Sequence, residues 1–358
     1  MDILHLDLGK DLRGGQRQVL YLCAQLKEKG AFRPIIAAPG FAPLLREARA
    51  AGIEVLPLGG RREWDPRLIG TLWRFVRARQ APVIVHTHDA KSATLGAMLK
   101  TLCGSRVRLV HTRRVSYALS GSLSRLKYRV ADAVVGVSAE TVDVLADCGV
   151  DRKRMRTIHS GIDPASYPQK PKSGVTPVIG IIGALTPQKG HAVLLEALAL
   201  LNRSRPDSPW SAELVGEGPL RKELEDRARD LGLAERVRFP GFQESRRVLP
   251  HMDILVVPSV DGEGSSGAIK EAWAVGVPLV ASDLPSNLEL AQDGVNSLVV
   301  KRGDAASLCA ALARLLDDAG LGARLVAEGR RSVQGFTHQV MAGSYEDLYT
   351  GLTSKNAG

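Results

Sequence analysis

The 358-residue chain has few of the features that mark secreted, metal-binding or membrane-spanning proteins. No apolar run approaches the roughly 20 residues that cross a bilayer, and Met1–Leu8 lacks the basic-then-apolar layout of a secretory signal. No Cys-x-x-Cys pair or metal-binding spacing occurs among the four cysteines, which are Cys23, Cys103, Cys148 and Cys309. These absences exclude a disulfide scaffold and predict a cytoplasmic protein with reduced thiols.

Aromatic residues make up only 4% of the chain, and no RNP, KH or zinc-finger pattern is present, so a nucleic-acid partner is not expected. Positive charge is nevertheless concentrated in the first half of the chain. Residues 1–165 hold 27 Lys+Arg against 15 Asp+Glu, a net of +12, whereas the remainder has a net of −2. Within Pro66–Ala131 there are 13 basic residues and one acid, Asp89. This asymmetry favours an anionic membrane surface or an acidic ligand over a merely solvated basic face.

Apolar strands alternate with helical segments throughout the chain, which predicts an α/β protein with parallel sheets. The first half has helical patterns that include Gln16–Lys29 and strands at Asp2–Leu8, Pro34–Ala38, Val55–Leu58, Val83–His86, Arg108–Thr112, Ala133–Val137 and Met155–Ile158. The second half has strands at Val178–Ala184, Ala212–Val215, Val237–Phe239, Ile254–Pro258, Val277–Ala281 and Ser297–Val300.

A Pro/Lys/Ser/Gly-rich stretch, Pro164–Pro177, separates the two halves and reads as a hinge. The length also suits two domains better than one. We therefore expect a first domain over residues 1–165 and a second over 175–335. Two sheets of this kind would face each other across a cleft that holds the active site.

The segment Asp261–Ser282 is the most informative part of the chain. It places Glu263 and Glu271 eight positions apart, with a loop of small residues between a buried strand and a short helix. Ligands of doubly wound sheets bind where strands end and helices begin. Two carboxylates can accept hydrogen bonds from sugar hydroxyls, and phosphate suits the loop amides of Ser265, Ser266 and Gly267. The alternative is a surface helix that carries two glutamates by chance.

A second loop with suitable chemistry lies between strand Val178–Ala184 and the helix that begins at His191. Lys189 and Gly190 come directly before that helix. An ammonium group beside the positive end of a helix suits a diphosphate. A lysine in a solvent-facing loop is the alternative reading.

Together these segments resemble the retaining glycosyltransferases of family 4, which have the GT-B fold of two Rossmann-like domains. The resemblance implies that Glu271 holds ribose hydroxyls, that Glu263 holds a sugar hydroxyl, and that Lys189 neutralises the diphosphate. It also implies that a terminal helix, here residues 337–352, packs back on the first domain. The chain departs from the family in having Ala184 where an arginine is usual, so neutralisation of the diphosphate would rest on Lys189, on helix amides or on Lys270.

Further positions resemble the family more loosely. Gly14 and Gly15 precede the first helix, in a loop that lies near donor and acceptor in relatives, although a plain tight turn explains them equally well. Turns that lie under the nucleotide or near its base in relatives correspond to Gly216, Gly218, Gly241 and Phe242. The alternative is that these residues only form ordinary turns.

Histidines and arginines at strand ends of the first domain complete the candidate residues. His86, His88 and Asp89 follow one strand, and His88 is the candidate catalytic histidine, although local hydrogen bonding is the alternative. No helical His-x3-His arrangement occurs, so no metal site is assigned. Arg113 and Arg114 follow the next strand, where the family often has a histidine at the position of Arg114. An arginine pair suits bidentate recognition of phosphate or carboxylate and predicts an anionic acceptor.

No Asp-x-Asp occurs in the chain, so a carboxylate-bound Mg²⁺ or Mn²⁺ at the diphosphate is not expected and no cofactor is assigned. The predicted enzyme moves a hexose from a UDP-sugar, with GDP- or ADP-sugars as alternatives. Its acceptor is a hydroxyl of an acidic or lipid-linked envelope glycan such as lipopolysaccharide core. It would work at the inner face of the cytoplasmic membrane. The rival readings are a sugar-nucleotide 2-epimerase and a non-catalytic, membrane-docking regulator that binds sugar nucleotides.

Overall fold

The computed structural model describes residues 1–59, 65–119, 121–171, 174 and 176–354. The chain divides into two compact units. The first comprises Met1–Gly161 and the C-terminal segment that begins at His338, and the second comprises Ile162–Thr337. Residues 172, 173 and 175 of the predicted hinge lie outside the described residues.

The first unit is a parallel sheet covered by helices on both faces. Its elements are β1 (Asp2–Leu6), α1 (Gly14–Lys29), β2 (Arg33–Pro39), α2 (Pro43–Ala50), β3 (Glu54–Leu58), α3 (Pro66–Arg77), β4 (Val83–Thr87), α4 (Ala90–Cys103), β5 (Val107–Arg113), α5 (Ser122–Arg129), β6 (Ala133–Gly136), α6 (Ala139–Asp147) and β7 (Met155–Thr157). The chain returns to this unit with the C-terminal helix α14 (His338–Ser354), whose Tyr345 and Tyr349 are buried against β-strand side chains.

The second unit repeats the same plan. Its elements are β8 (Val178–Ile182), α7 (His191–Ser204), β9 (Ser211–Val215), α8 (Arg221–Asp230), β10 (Val237–Gly241), α9 (Ser245–Val248), β11 (Ile254–Val257), α10 (Gly267–Val275), β12 (Leu279–Ser282), α11 (Pro285–Leu288), β13 (Leu298–Val300), α12 (Ala305–Asp317) and α13 (Ala319–Ser332). The prediction of two α/β domains with parallel sheets is confirmed.

Strand order fixes where each sheet can bind a ligand. The orders are β3-β2-β1-β4-β5-β6-β7 in the first unit and β10-β9-β8-β11-β12-β13 in the second, and all pairs are parallel. The direction of winding therefore reverses between β1 and β4, and again between β8 and β11. Ligands of such sheets bind at the carboxyl ends of the strands beside this reversal.

The central strands can be recognised from the sequence because they contain short, continuous apolar runs. Strand β4 (VIVHT) and strand β11 (ILVV) are buried at every position, as expected for parallel strands that are covered on both faces. All thirteen predicted strands are present, with ends that differ by at most two residues. In the part of the chain that the structure describes, none of the helices combines the length and apolar character needed to cross a bilayer.

Two helical features differ from the sequence-based expectation. Helix α5 (SLSRLKYR) was not predicted, because it is rich in basic and hydroxyl side chains and lacks an apolar stripe; its Tyr128 is buried. Helix α1 begins at Gly14 rather than Gln16, so Gly14 and Gly15 form its first turn instead of a preceding loop.

Candidate functional site

In the second unit, an ion pair joins the two loops at the point of reversal. Lys189, in the loop after β8, donates from Nζ to Oε1 of Glu263 at 2.5 Å. Glu263 follows β11 and is 8% exposed. The same Oε1 accepts a hydrogen bond from the Ser259 hydroxyl at 2.6 Å. One carboxylate oxygen is therefore held by a cation and a buried hydroxyl, which fixes its position.

The second carboxylate is held by a tyrosine from outside the motif. Glu271 lies on α10, and its Oε1 accepts a hydrogen bond from the hydroxyl of Tyr167 at 2.9 Å. The Tyr167 side chain is 7% exposed, and the guanidinium carbon of Arg246 lies 5.1 Å from the centre of its ring. The orientation of Glu271 is therefore set by packing of the segment that enters the unit.

Lys189, Glu263 and Glu271 line one cavity of about 150 Å³. Helix α10 begins at its wall, so the positive end of the helix dipole faces the space that both carboxylates border. Of the residues predicted from the sequence, the cavity is lined by Lys189, Glu263, Ser266, Gly267 and Glu271. A cation, a helix N-terminus and two carboxylates thus meet within a single small space, which suits a ligand that carries both phosphate and hydroxyl groups.

A buried chain of hydrogen bonds supports Glu263 from behind. The Ser282 hydroxyl donates to the carbonyl of Ser259 at 2.6 Å, and the Asn287 amide donates to the Ser282 hydroxyl at 3.2 Å. All three side chains are at most 1% exposed. Buried polar networks of this kind rigidify the groups that they hold.

Three of the predicted glycines allow loops to pack closely against neighbouring backbone. At Gly190 (φ +71°), an added Cβ would lie 2.0 Å from the carbonyl oxygen of Pro258. At Gly216 (φ +152°), it would lie 1.8 Å from the carbonyl oxygen of Gly183. At Gly218, it would lie 2.4 Å from that of Leu185. Since no side chain fits in these spaces, the glycines bring the loops at the ends of β8, β9 and β11 close together.

The other residues predicted in this unit do not border the cavity. Gly241 ends β10, and Phe242 is 73% exposed. The Ser265 hydroxyl accepts a hydrogen bond from Nζ of the buried Lys270 at 2.8 Å, so Lys270 stabilises the loop that carries Glu263. Ala184 is exposed in the loop after β8.

In the first unit, three buried histidines cluster at the ends of β1 and β4. Nδ1 of His5 lies 3.0 Å from Nε2 of His88. His86 is hydrogen-bonded at both nitrogens, to the hydroxyl of Tyr349 and that of Thr112, each at 2.7 Å. Among the described residues, one ring nitrogen from each of His5, His86 and His88 lies within 4.8 Å of the others, a spacing that can hold a metal ion. Occupation of both His86 nitrogens by hydroxyls opposes that use.

The hydrogen bonds determine how His88 is protonated. Burial holds its pKa well below 6.5, and the neighbouring His86, His5 and Arg114 lower it further, so the ring is neutral at pH 7. Nη2 of Arg114 lies 3.4 Å from Nδ1 of His88, and an arginine can only donate. The proton of His88 therefore sits on Nε2 and is donated to His5. Nε2 of His5 then carries a proton, and it has no hydrogen-bond partner within the described part of the chain.

The two predicted arginines have different environments. The Arg113 side chain donates to the carbonyl oxygens of Val115, at 3.1 Å, and Tyr117, so it shapes the segment after β5. Burial lowers the pKa of Arg114, while nearby Tyr345 and Asp7 favour its charged form. Nε of Arg114 has no hydrogen-bond partner among the residues that the structure describes.

Arg114 and His88 line a cavity of about 320 Å³ at the ends of β4 and β5. Helix α1 begins nearby, and a Cβ added at Gly15 would lie 3.5 Å from Cδ of Arg114, whereas one at Gly14 would meet nothing within 4 Å. Asp89 caps α4 through the amides of Lys91 and Ser92. The first unit therefore presents a partly buried cation beside a neutral histidine.

The histidine cluster predicts acid sensitivity. Burial lowers the pKa of His5 from 6.5 to about 3, so the unfolded chain takes up this proton first as the pH falls. The contribution of the neutral, buried His5 to the free energy of unfolding is therefore complete above about pH 6.5 and is lost progressively towards pH 3. Because one proton is worth about 1.4 kcal/mol per pH unit, His5→Gln should make the fall in unfolding free energy between pH 6.5 and 5 shallower by up to that amount. Chemical denaturation at several pH values measures this.

His251→Gln, a change at an exposed histidine, is the matched control for that measurement. Its pH profile should follow that of the wild type. If the unfolding free energy of His5→Gln fell with pH as steeply as that of the wild type, the burial of His5 would not govern its protonation.

Sequence reasoning did not find the residues that hold the two glutamates. Ser259, directly after the predicted strand Ile254–Pro258, was not singled out, although a hydroxyl at that place is a usable signal. Tyr167 lies in the segment that was read as a hinge, and nothing in its spacing links it to Glu271. Asp7 was likewise missed; it accepts hydrogen bonds from the amide of Gly9 and the side chain of Gln16.

Comparison with known proteins agrees with this architecture. Residues 12–166 match the family described as Glycosyltransferase Family 4, and residues 176–318 match Glycosyl transferases group 1. The lipopolysaccharide core biosynthesis glycosyltransferase LpsE of Rhizobium meliloti is 26% identical, over 97% of this chain and 98% of that protein. The phosphatidyl-myo-inositol mannosyltransferase of Mycobacterium leprae is 28% identical, over 78% of this chain and 69% of that protein.

Among solved structures, Anabaena HepE in complex with UDP is similar, with a TM-score of 0.84 and 20% identity over 98% of this chain and all of that one. HepE has also been solved with UDP-glucose. The two family matches follow each other along the chain and correspond to the two units described above. The chain therefore belongs to the family-4, group-1 glycosyltransferases of the GT-B fold, enzymes that act on nucleotide sugars.

Proposed function

We propose that this enzyme transfers a hexose, with retention of anomeric configuration, from a UDP-sugar to a hydroxyl of an acidic or lipid-linked envelope glycan such as lipopolysaccharide core. The observation that carries the donor side is the cavity where Lys189, Glu263, Glu271 and the N-terminus of α10 meet. The relatedness to LpsE supports the choice of acceptor class. UDP is the preferred nucleotide because HepE binds it.

Charge develops on the departing diphosphate as the bond between the sugar and phosphate breaks. Lys189 and the positive end of α10 would stabilise that charge where it forms, because both are fixed in place before the donor arrives. Preorganised groups of this kind supply a large part of the rate enhancement in many enzymes. Lys189 would exchange part of its contact with Glu263 for the phosphate oxygens.

The two carboxylates would hold hydroxyl groups. We assign a sugar hydroxyl to Glu263 and the ribose hydroxyls to Glu271, since ionised carboxylates only accept hydrogen bonds. Ser259 and Tyr167 each occupy one oxygen of these groups and so orient the other. On the acceptor side, Arg114 would bind an anionic group, which would release Nδ1 of the neutral His88 to accept a hydrogen bond from the reacting hydroxyl.

Tyr167→Phe should weaken binding of UDP-sugar about fivefold. The change removes the hydroxyl that positions Glu271, and one hydrogen bond contributes about 1 kcal/mol. Isothermal titration with UDP-glucose measures the affinity. Tyr349→Phe, at a buried tyrosine of the other unit, controls for the general effect of losing a hydroxyl. Equal affinities in Tyr167→Phe and the wild type would contradict a positioning role.

The function itself is tested in two steps. Thermal-shift measurements against UDP-, GDP- and ADP-sugars identify the donor, because a ligand stabilises the state that binds it. The protein is then incubated with that donor, alone and with a lipid-linked oligosaccharide acceptor. Release of nucleoside diphosphate that requires the acceptor supports transfer. Turnover of donor alone to an epimer, or binding without turnover under any acceptor, would favour one of the two rival functions.

We also propose that transfer needs no divalent metal. The proposal rests on the lack of an Asp-x-Asp pair and on the presence of Lys189 where a metal would otherwise neutralise the diphosphate. Activity should be unchanged in excess EDTA. A loss that Mg²⁺ or Mn²⁺ restores would overturn this proposal without affecting that of sugar transfer.

The first unit is proposed to bind the inner face of the cytoplasmic membrane. Helix α3 supports this, because it begins at Pro66 and carries three arginines, Arg67, Arg74 and Arg77, beside a Trp73 that is 41% exposed. The guanidinium of Arg77 lies 5.6 Å from the centre of the Trp73 ring. Basic residues attract anionic lipid by about 1 kcal/mol each near the surface, and tryptophan favours the interface.

Replacing Arg74 and Arg77 by glutamate should therefore abolish sedimentation with liposomes that contain anionic lipid. Two charge reversals near the surface correspond to a loss of at least about 10²-fold in partitioning. Arg324→Glu together with Arg331→Glu, at exposed positions of the other unit, is the matched control. Equal binding to neutral and anionic liposomes at low salt would exclude this membrane site.

A further inference from the structure

The polar cavity beside Arg114 continues into a second, larger one. The polar cavity of about 320 Å³ and a groove of about 580 Å³ are both lined by Ala90, Ser124 and Lys127. The groove runs between α4 and α5, which pack against each other. It therefore extends the space where an acceptor would bind, rather than forming a separate site.

The surface that lines the groove is mainly apolar, although Thr94, Thr101 and Ser124 also contribute to it. Its walls include Ala97, Met98, Leu126 and Val130, and Leu126 is 54% exposed although it is a large aliphatic side chain. From Ala90 to Thr101, helix α4 advances roughly 16 Å at about 1.5 Å per residue, close to the length of an extended chain of about a dozen carbons. An exposed aliphatic surface of this shape gains by being covered with hydrocarbon.

Among the described residues that line the groove, the charged ones are found towards its Ala90 end. Lys91 and Lys127 are the charged residues among the side chains that line it, and both are basic. Lys127 donates to the carbonyl oxygen of Ala90 at 2.9 Å, which places its ammonium group at the junction. Arg114 lies beyond it, in the polar cavity. A ligand that matches this pattern has an anionic head group and a hydrocarbon tail.

We propose that the α4–α5 groove binds the hydrocarbon tail of a phosphate-bearing lipid acceptor, whose head group lies between Lys127 and Arg114. The inference rests on the proposed transfer function and names its acceptor class as an amphiphile rather than a free oligosaccharide. The tail provides affinity, and the cations set the position of the head group. A lipid held in this way presents its hydroxyls next to His88.

Alkyl phosphates test the groove directly, because they carry the anion and the tail but no sugar. Isothermal titration compares octyl, decyl and dodecyl phosphate below their micelle concentrations with glycerol phosphate and dodecyl maltoside. Affinity should rise up to about fourfold for each added methylene group that the groove covers. Glycerol phosphate should bind at least 10²-fold more weakly than dodecyl phosphate, and dodecyl maltoside should bind more weakly than dodecyl phosphate.

Two groove variants and one control locate the tail. Leu126→Asp should lower dodecyl phosphate affinity by tenfold or more. Thr101→Trp, at the exposed far end of the groove, should reduce the gain from octyl to dodecyl phosphate while leaving octyl phosphate unaffected. Leu102→Asp is the control, because Leu102 is 59% exposed on the same helix and does not line the groove. Since Thr101→Trp changes only an exposed helix position, it keeps the test decisive if Leu126→Asp fails to fold.

The outcomes separate this inference from the proposed function. Alkyl phosphate affinity that does not depend on chain length, or that is equal in all three variants, overturns the proposal that the groove binds a lipid tail. So does a wild-type dimer that Leu126→Asp converts to a monomer in size-exclusion chromatography, because a second copy would then cover the groove. If sugar transfer to a soluble glycan persists while alkyl phosphates do not bind, only the proposal of lipid binding in the groove is wrong. If they bind as expected but no acceptor supports release of nucleoside diphosphate, only the transfer function is wrong.

Discussion

Replacement of Lys189 by methionine is expected to lower kcat for sugar transfer by about 10²–10³-fold, the usual cost of removing one fixed donor from developing negative charge. The methionine keeps most of the apolar stem but removes the ammonium group that now contacts Glu263 at 2.5 Å. Because the lost interaction strengthens as the diphosphate departs, the effect should fall on kcat more than on KM. Steady-state release of UDP with saturating donor and acceptor measures both constants.

The control for Lys189 is Lys301→Met. Lys301 is an exposed lysine directly after another strand of the same unit, β13, and it does not line the cavity. It should retain wild-type kcat. A double-mutant cycle with Glu263→Gln adds a second check, since groups that act on one substrate in direct contact should show non-additive effects. A Lys189→Met enzyme within threefold of wild-type kcat would falsify the assignment.

Gly190→Ala is expected to destabilise the second unit by about 3 kcal/mol or more, through the combined effect of a strained backbone and a steric clash. The glycine has φ +71°, and the new Cβ would lie 2.0 Å from a backbone oxygen that cannot move away as a flexible side chain would. For a domain of about 150–250 residues, a loss of that size lowers Tm by about 6–12 °C. Differential scanning fluorimetry of the whole chain detects it.

Gly335→Ala provides the comparison for Gly190. It lies in the same unit, and an added Cβ there would meet no atom within 4 Å. Its Tm should stay close to that of the wild type. The position of Gly190 between a strand and a helix predicted a role in donor binding, and the clash adds a packing role that supports Lys189. A Gly190→Ala protein with normal Tm and impaired donor binding would favour the first assignment.

The proposed donor site was predictable because its residues follow strands that pattern alone reveals, although Lys189 and Glu263 are 74 residues apart. Glu263 lies in the loop after β11 and Glu271 in the helix that follows it, and Lys189 lies just before the helix that follows the neighbouring strand. Parallel strands deliver the loops at their carboxyl ends to one edge of the sheet. Once β8 and β11 are identified, the meeting of these three side chains follows.

The rest of the site was not predictable from spacing. Tyr167 reaches Glu271 across 104 residues of sequence, and His5 reaches His88 across 83. The chemistry of an arginine pair predicted one shared role for Arg113 and Arg114, yet Arg113 donates to loop carbonyls while Arg114 lies beside His88. Which direction a side chain takes at the end of a strand depends on its neighbours in three dimensions, and a local pattern does not contain them.

The sequence by itself determined the two parallel-sheet units and the proximity of Lys189, Glu263 and Glu271, because strands that are buried on both faces form long apolar runs and parallel strands end at one edge of their sheet. Tertiary structure alone decided the order of the strands, the protonation of the buried histidines, and the groove between α4 and α5. These depend on contacts between residues far apart in the chain. Desolvation and steric fit act on such contacts only after the chain has folded.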